Sequence, residues 1–572
     1  MVQDEVPLVF RPLALRLAHP AARSAPPRRR ALPHPPPPHP PAPAAPAAPT
    51  RTRTRTSHTG RTVADYPRHV TRDGEEHHVT SAATRTETDS LGSREVPVDS
   101  YWGINTLRAM ENFPIASVPI AVYPDLVAAL VTVKQAAARA NRAIGVLDDE
   151  RADAIDRAAQ EVRDGALRDQ FVVDVVQGGA GTSTNMNTNE VLANRALELL
   201  GRERGDYAYL HPIDHVNRSQ STNDTYPTSI KIAMIYGVRR LADQLEQLSD
   251  AFAERGRAFA DVLKVGRTQL QDAVPMTLGQ EFTGFAHTIQ EDVVQLRRVV
   301  PLLGEMNLGA TAIGTGITAD PLYRDEVRRQ LAEASGVDVV TAPDLIEATS
   351  DAGSFMTLSG TVKRSVMKLS KICNDLRLLA SGPQAGLGEI TLPPRQAGSS
   401  IMPGKVNPVI PEVVNQIAFA VAGADTTVTM AAEGGQLQLN AFEPIIAHSI
   451  LQSLQWMARG CATLREHCVV GIEANEAKLA AQVDTNVGVV TALTPYIGYA
   501  AAASIAHTAL TTSTPISTLV IAAGLMDEHQ VHRVLSPARL SGIEMATGAI
   551  PVITEAMLQQ HARDAAPRPP QA

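Results

Sequence analysis

The chain has 572 residues, of which 44% are hydrophobic, so it can bury a large core and is expected to fold as two or three domains. Its formal net charge of −8 gives no general attraction to nucleic acid or anionic lipid, and no apolar run approaches the roughly 18 residues of a membrane span. Three scattered cysteines, Cys373, Cys461 and Cys468, exclude a disulfide framework or a CxxC metal site; we expect buried thiols in a reducing, cytoplasmic compartment.

Residues 1–85 form a segment rich in proline and arginine, with the stretches RRRALPHPPPPHPPAPAAPAAP and TRTRTRT. Prolines remove backbone donors and repeated arginines repel one another, so this segment cannot build a core. The favoured interpretation is an unstructured tail or an upstream-start artefact of a GC-rich coding region; a polyproline docking segment and a targeting peptide are the alternatives. Arg11, Pro12 and Arg16 interrupt the apolar start, which argues against a secretory signal. EEHH at 75–78 lacks further metal ligands.

From about residue 88 the pattern is globular, and beyond residue 225 long amphipathic helices dominate. TLGQ at Thr277–Gln280 predicts a capping box that opens one of them, just after Pro275. Several helices of 20 or more residues with few strand signals predict a long bundle flanked by smaller helical domains, with apolar stripes left to bury against other chains. Two segments show helical stepping by four and three positions: Met234, Val238, Leu241, Leu245, Leu248 and Phe252, then Val362, Val366, Leu369, Cys373, Leu376 and Ala380.

Four clusters of hydroxyl and amide side chains interrupt this pattern. They are GGAGTSTNMNTNE at 178–190, NRSQSTNDTYPT at 217–228, GRTQLQDAVPMT at 266–277 and GSSIMPGKVNP at 398–408. The first lacks the pattern of a phosphate loop, and it precedes a helix predicted to run toward Gly201. After the second, a helix is predicted to begin near Pro227. Three of the four lie at or near predicted helix N-termini, whose free N–H groups favour carboxylates. Each alone is an ordinary helix cap, but together they predict a site for a small polyanion.

The stretch GSSIMPGKVNP resembles the signature of the fumarase/aspartase superfamily, and the resemblance extends from about Asp89 to Leu540. It implies an all-α, three-domain subunit whose long central helix bundle joins three others in a homotetramer, forming a 20-helix core with active sites built from three chains. The domains expected for this chain are a disordered extension at 1–85, an N-terminal helical domain at 86–225, a central bundle at 226–475, and a small C-terminal helical domain with a flexible tail at 476–572.

Within that superfamily, the stretches REVPVDSYWGINTLRAMENF, VVQGGAGTSTNMNTNEVLAN, GRTQLQDAVPMTLGQEF and NPVIPEVVNQ are similar to the aspartase branch. Fumarases usually carry TQRS where this chain has TLRA, and NPTQCE where it has NPVIPE. The resemblance implies reversible anti elimination of ammonia from L-aspartate, giving fumarate through an aci-carboxylate intermediate. A fumarase or another lyase of the same fold is one alternative. A non-catalytic helical scaffold is a second, and the intact Ser399, Lys405 and Asn407 argue against it.

By the same resemblance, Ser399 is the general base and acts as an alkoxide, which its own loop must stabilise. Candidate donors are the backbone N–H groups around Ile401 and Met402, with Lys405 as a local cation. Gly398 and Gly404 would let the loop close over the substrate. The other implied roles are an α-carboxylate clamp of Lys405, Asn407 and Thr268, a β-carboxylate cradle of Thr182, Ser183, Thr222 and Ser400, and an amino-group pocket of Ser221 and Asn223. Asp224 has the alternative role of a helix cap and is left out of the site.

Gln269 stands where many relatives, including fumarases, have a histidine that pairs with the glutamate matching Glu412. Loss of hydroxide needs acid help, which glutamine cannot give, whereas a protonated amine leaves as neutral ammonia. Gln269 therefore favours deamination over dehydration. No organic cofactor and no metal ligand is implied, although divalent metal activation occurs in parts of the family. The implied partners are the small-molecule substrate and three further copies of the chain.

Overall fold

The computed structural model describes residues 83–540 and Gly542. The predicted N-terminal extension, the EEHH stretch and the C-terminal tail lie outside or almost wholly outside these residues. The helices are α1 Ile104–Asn112, α2 Pro124–Ala143, α3 Asp149–Arg163, α4 Thr182–Leu199, α5 Thr222–Ala258, α6 Leu278–Gly304, α7 Tyr323–Ser335, α8 Glu347–Ser350, α9 Gly353–Leu379, α10 Val409–Glu433, α11 Glu443–His467, α12 Glu476–Thr485, α13 Val490–Ile497, α14 Tyr499–Thr512, α15 Ile516–Ala522, α16 Glu528–Val534 and α17 Pro537–Leu540.

The strands are short and pair two by two. β1–β2, β3–β4 and β7–β8 are antiparallel, whereas β5–β6 is parallel. Strands this few and short cannot form a core of their own, so the described part of the chain is an all-α protein, as predicted. Their bounds are β1 Thr84–Asp89, β2 Gly92–Pro97, β3 Leu263–Thr268, β4 Gln271–Thr277, β5 Glu305–Met306, β6 Val340–Thr341, β7 Ile390–Thr391 and β8 Glu473–Ala474.

The core lies between the long helices α5, α6, α9, α10 and α11, which pack side by side. Both apolar stripes read from the sequence face this core. Every member of the first stripe, on α5, is buried, and so are the members of the second, on α9, as far as Leu376. Ala380 is half-buried because it caps the C-terminal end of α9. The central bundle is therefore confirmed, while the domain boundaries at 86, 226 and 476 stay predictions.

The start of α5 was predicted near Pro227, and that was wrong. The helix begins at Thr222, with Ser221 as its N-cap and Asp224 completing a capping box. Pro227 lies inside the helix and has no N–H to donate to the carbonyl of Asn223 four residues earlier. The side-chain amide of Asn307 donates to that carbonyl instead, at 3.0 Å, so the proline costs the helix no unsatisfied acceptor. By contrast, the capping box at Thr277 and Gln280 opens α6 as predicted.

All three cysteines are buried and free, as predicted. Burial raises the pKa of the Cys461 and Cys468 thiols to about 12, so both are protonated and unreactive at neutral pH. Among the described residues, none of the helices combines the length and the apolar character required to cross a membrane.

Candidate functional site

Residues 398–408 form a loop that leads into α10 and is closed by its own hydrogen bonds. The N–H of Gly398 donates to the carbonyl of Lys405 at 2.8 Å, and the side-chain amide of Asn407 donates to the carbonyl of Gly398 at 2.9 Å. A Cβ at position 398 would lie 2.7 Å from the Lys405 carbonyl oxygen, so only glycine allows this closure. Gly404 has a φ of +82°, a left-handed conformation that glycine adopts without strain.

Ser399 Oγ is the acceptor at the centre of this loop. It accepts from the backbone N–H of Ile401 at 3.1 Å and from that of Met402 at 3.0 Å. These are the two donors named from the sequence, and two N–H groups aimed at one oxygen favour a negative charge on that oxygen. Ser399 itself is half-buried, while Ser400 and Lys405 are exposed. The loop therefore presents its polar groups on an open surface of the single chain.

In the first polar cluster, the helix begins at the first hydroxyl residue. Thr182 is the first residue of α4, so Thr182, Ser183 and Asn185 occupy the first helical turn, and not the preceding segment as predicted. The N-cap is Gly181, at φ +88°. A Cβ on Gly181 would lie 2.4 Å from the ring of Tyr226, so this turn of the chain sits directly on α5.

The structure brings this turn together with the second polar cluster at the start of α5. Asn185 Nδ2 donates to Thr222 Oγ1 at 3.0 Å, which joins the two helix N-termini. Ser221 caps α5, and Asn223 Nδ2 donates to the carbonyl of Ala312 at 2.7 Å. The five predicted residues Thr182, Ser183, Ser221, Thr222 and Asn223 thus form one group at two adjoining helix starts, where the positive ends of both helix dipoles favour an anion.

Two buried charges lie beneath this group; the capping role expected for Asp224 is confirmed, whereas Lys134 was missed. Lys134 Nζ donates to Asn217 Oδ1 at 2.8 Å and to Gln220 Oε1 at 2.9 Å, while Asn217 Oδ1 also accepts from Asn185. The Asp224 carboxylate accepts from the backbone N–H groups of Ser221, Gly309 and Thr311. Burial lowers the pKa of Lys134 and raises that of Asp224, and each charge opposes the shift of the other. The S-x-x-D capping pattern was a signal for Asp224; nothing local marks Lys134.

The third polar cluster is a β-hairpin, with Thr268 and Gln269 at its tip. Thr268 pairs with Gln271, and Gln269 and Leu270 form the two-residue turn at φ +55° and +63°. Both positive φ values are unusual for residues that carry a Cβ. The cluster ends at Thr277, the N-cap of α6, whereas its predicted site residues lie at the hairpin tip.

The twelve predicted residues therefore fall into three groups. The first is the paired starts of α4 and α5, the second is the hairpin tip, and the third is the serine loop with the first turn of α10. Within residues 83–540, no hydrogen bond or ion pair links a member of one group to a member of another, and Gln269 makes none with Glu412. The third group consists of Ser399, Ser400, Lys405, Asn407 and Glu412.

Comparison with known proteins identifies the family of the chain. Residues 92–423 match the family model described as Lyase, and residues 489–542 match that described as Fumarase C C-terminus. The aspartate ammonia-lyase of Pseudomonas canavaninivorans is 55% identical over 461 residues, which are 80% of this chain and 97% of that protein. The chain belongs to the fumarase/aspartase superfamily.

Solved structures of the fumarase/aspartase superfamily share the fold. The fumarate lyase:delta crystallin from Brucella melitensis bound to cobalt has a TM-score of 0.78 at 52% identity, over 80% of this chain and all of that one. The class II fumarase from Schistosoma mansoni has a TM-score of 0.76 at 31% identity, over 81% of this chain and all of that one. Among the residues described here, no group of three or more His, Cys, Asp or Glu side chains could hold a metal ion.

Proposed function

We propose that the protein catalyses the reversible anti elimination of ammonia from L-aspartate to give fumarate. The observation that carries the proposal is the serine loop, in which two backbone N–H groups point at Ser399 Oγ in a chain that is 55% identical to an aspartate ammonia-lyase. The difficult step is removal of the C3 proton, because only the neighbouring β-carboxylate acidifies it. The aci-carboxylate that forms carries an extra negative charge, so the catalyst must stabilise anions.

Ser399 acts as the general base in this proposal. A serine hydroxyl is almost wholly neutral at pH 7, so the alkoxide needs donors fixed in advance. The N–H groups of Ile401 and Met402 supply them, and one such donor in an enzyme site contributes about 3 kcal/mol. No histidine partner is required, because the loop itself stabilises the oxyanion.

The other two groups bind the substrate in the same proposal. At the starts of α4 and α5, hydroxyl groups and the positive ends of the two helix dipoles hold the β-carboxylate, where charge builds up during the reaction. The substrate ammonium is a donor and needs acceptors, and the bond from Asn223 Nδ2 to Ala312 leaves Asn223 Oδ1 for that purpose. Thr268, Lys405 and Asn407 hold the α-carboxylate; one amide hydrogen of Asn407 closes the loop and the other remains for the substrate.

We expect purified protein to form fumarate rapidly from L-aspartate and far more slowly from L-malate. The physical reason is Gln269, which cannot protonate a departing hydroxide, whereas a protonated amine leaves as neutral ammonia without that help. The ultraviolet absorbance of fumarate follows both reactions in one instrument, at matched enzyme and substrate concentrations. A malate rate equal to or above the aspartate rate would make the protein a fumarase instead.

The proposed assembly is a homotetramer with shared active sites. Two observations support it: the three groups of site residues are not joined within one chain, and α10 leaves Phe419 66% and Met430 70% exposed. Burying one such side chain against another subunit contributes roughly 1.5–3 kcal/mol. We further propose a cytoplasmic location, which the three free cysteines support, and catalysis without an organic cofactor, since the steps above move only protons and ammonia.

Replacing Gly181 by alanine is expected to lower kcat/KM by about 100-fold, because the new methyl group would overlap the ring of Tyr226 and displace Thr182. Gly145→Ala is the matched control: Gly145 also has a positive φ, +75°, but no atom lies within 4 Å of the position that its new methyl group would take. It should lower the melting temperature and leave kcat/KM nearly unchanged. Equal kinetic losses in the two variants would show that backbone strain, and not the contact with Tyr226, is responsible.

A further inference from the structure

A cluster of four charged side chains lies beneath the hairpin β3–β4. Lys264 and Arg267 belong to β3, and Glu281 belongs to the first turn of α6. Glu389 is the residue just before β7. Lys264 Nζ lies 2.7 Å from Glu281 Oε2 and 2.9 Å from Glu389 Oε2, and Arg267 Nη1 lies 2.5 Å from Glu389 Oε1. The side chain of Glu389 is fully buried and that of Lys264 is 2% exposed. A carboxylate buried this completely needs opposite charges, and these two cations provide them.

The backbone of Glu389 is fixed on both sides. Its N–H donates to the carbonyl of Leu379 at 2.8 Å, and its carbonyl accepts from the N–H of Asn475 at 2.9 Å. The backbone position of Glu389 is therefore fixed, and its carboxylate contacts the hairpin through Lys264 and Arg267. Glu389 also lies on the segment that leads, ten residues later, into Ser399.

The hairpin tip needs such an anchor. Two-residue turns with two positive φ values favour Asn-Gly, but this turn is Gln269-Leu270. Residues with a Cβ persist in this conformation only where the surrounding structure determines it. Leu270 is 71% exposed, so the tip itself has little packing in the single chain. The nearest fixed contacts lie one step back from the turn. Arg267, which directly precedes Thr268 on β3, contacts Glu389, and its strand partner Asp272 accepts from Asn486 Nδ2 at 2.9 Å.

We propose that Glu389 is a positioning residue for the reaction. Through Arg267 and Lys264 it sets the position of the hairpin tip, and so of Thr268 against the α-carboxylate of the substrate. This inference rests on the proposed function. The α-carboxylate is the same in the bound substrate and in the transition state, so displacing the hairpin weakens binding of both. The expected signature is a raised KM with little change in kcat.

The test is Glu389→Gln, which keeps the shape of the side chain and removes its charge. We expect KM for L-aspartate to rise about tenfold while kcat stays within roughly threefold of the wild type. The matched control is Asp292→Asn on α6. Asp292 is also buried, and it contacts Arg364 at 2.6 Å and Lys368 at 3.3 Å, about 16 Å along the helix from Glu281. The control should lower the melting temperature without raising KM. An unchanged KM in Glu389→Gln, or an equal rise in Asp292→Asn, would overturn the proposal.

A double-mutant cycle tests whether Glu389 acts through Arg267. If it does, Glu389→Gln combined with Arg267→Met should have the KM of the worse single variant, whereas multiplied effects would refute the coupling. Should Glu389→Gln fail to fold, Glu389→Asp keeps the charge but shortens the side chain by one methylene group. Its KM should rise by less than the roughly tenfold increase expected of Glu389→Gln. No rise would contradict the proposal. Wild-type turnover of L-aspartate is measured first. Its absence would overturn the proposed function and this inference together, whereas normal turnover with an unaffected Glu389→Gln overturns the inference alone.

Discussion

Replacing Ser399 by alanine is expected to lower kcat at least about 10³-fold, the loss typical of a principal catalytic group. Alanine has no oxygen to take the C3 proton, and the N–H groups of Ile401 and Met402 would have no oxyanion to stabilise. The fold should survive, because both donors belong to exposed residues that can bond to water instead. Steady-state kinetics give kcat, calorimetry gives the affinity for fumarate, and gel filtration gives the assembly state.

The neighbouring serine is the matched control. Ser400 has the same side chain one residue further along, but it is exposed and accepts neither of the two loop N–H groups. Ser400→Ala should therefore lower kcat/KM by only about tenfold, the cost of one substrate hydrogen bond. Retention of a tenth of the wild-type kcat in Ser399→Ala would remove Ser399 from the role of base.

The parts of the fold that could be predicted are those whose cause is local in the sequence. Apolar stepping reports which face of a helix is buried, so the stripe from Met234 to Phe252 was found, and the Thr277 capping box needs only four residues. The start of α5 was placed five residues late because proline usually opens a helix. The amide that satisfies the carbonyl of Asn223 comes from Asn307, more than eighty positions away, where no local pattern could indicate it.

The same distinction holds for the site. The donors to Ser399 Oγ lie two and three residues further along the chain, so they could be named in advance. The hairpin tip could not be described in this way, since Gln269 and Leu270 carry no signal for a turn with positive φ. The strand that leads into them contacts Glu389 across more than a hundred residues of sequence. Burial of Lys134 is likewise a consequence of packing rather than of residue type.

Mixing two inactive variants is expected to restore activity. Thr182 lies at the start of α4 and Ser399 in the loop before α10, and no hydrogen bond or ion pair joins their groups in the part of the chain that the structure describes. Thr182→Val and Ser399→Ala should each be nearly inactive alone. Unfolded together and refolded at equal ratio, they should recover about a quarter of the wild-type activity, because each shared site draws its two residues from different chains at random.

Controls separate this result from trivial rescue. Thr182→Val keeps the size of the side chain but loses the hydroxyl, which in the structure also donates to the carbonyl of Gly179 at 2.7 Å. Thr182→Ser keeps the hydroxyl and should by itself retain most of the activity. That result would show that Thr182→Val is inactive because the hydroxyl is missing and not because packing has changed. Native mass spectrometry must confirm that mixed tetramers form. Mixed tetramers without activity would mean that both residues of each site come from one chain, because a site built within one subunit always keeps one of the two defects.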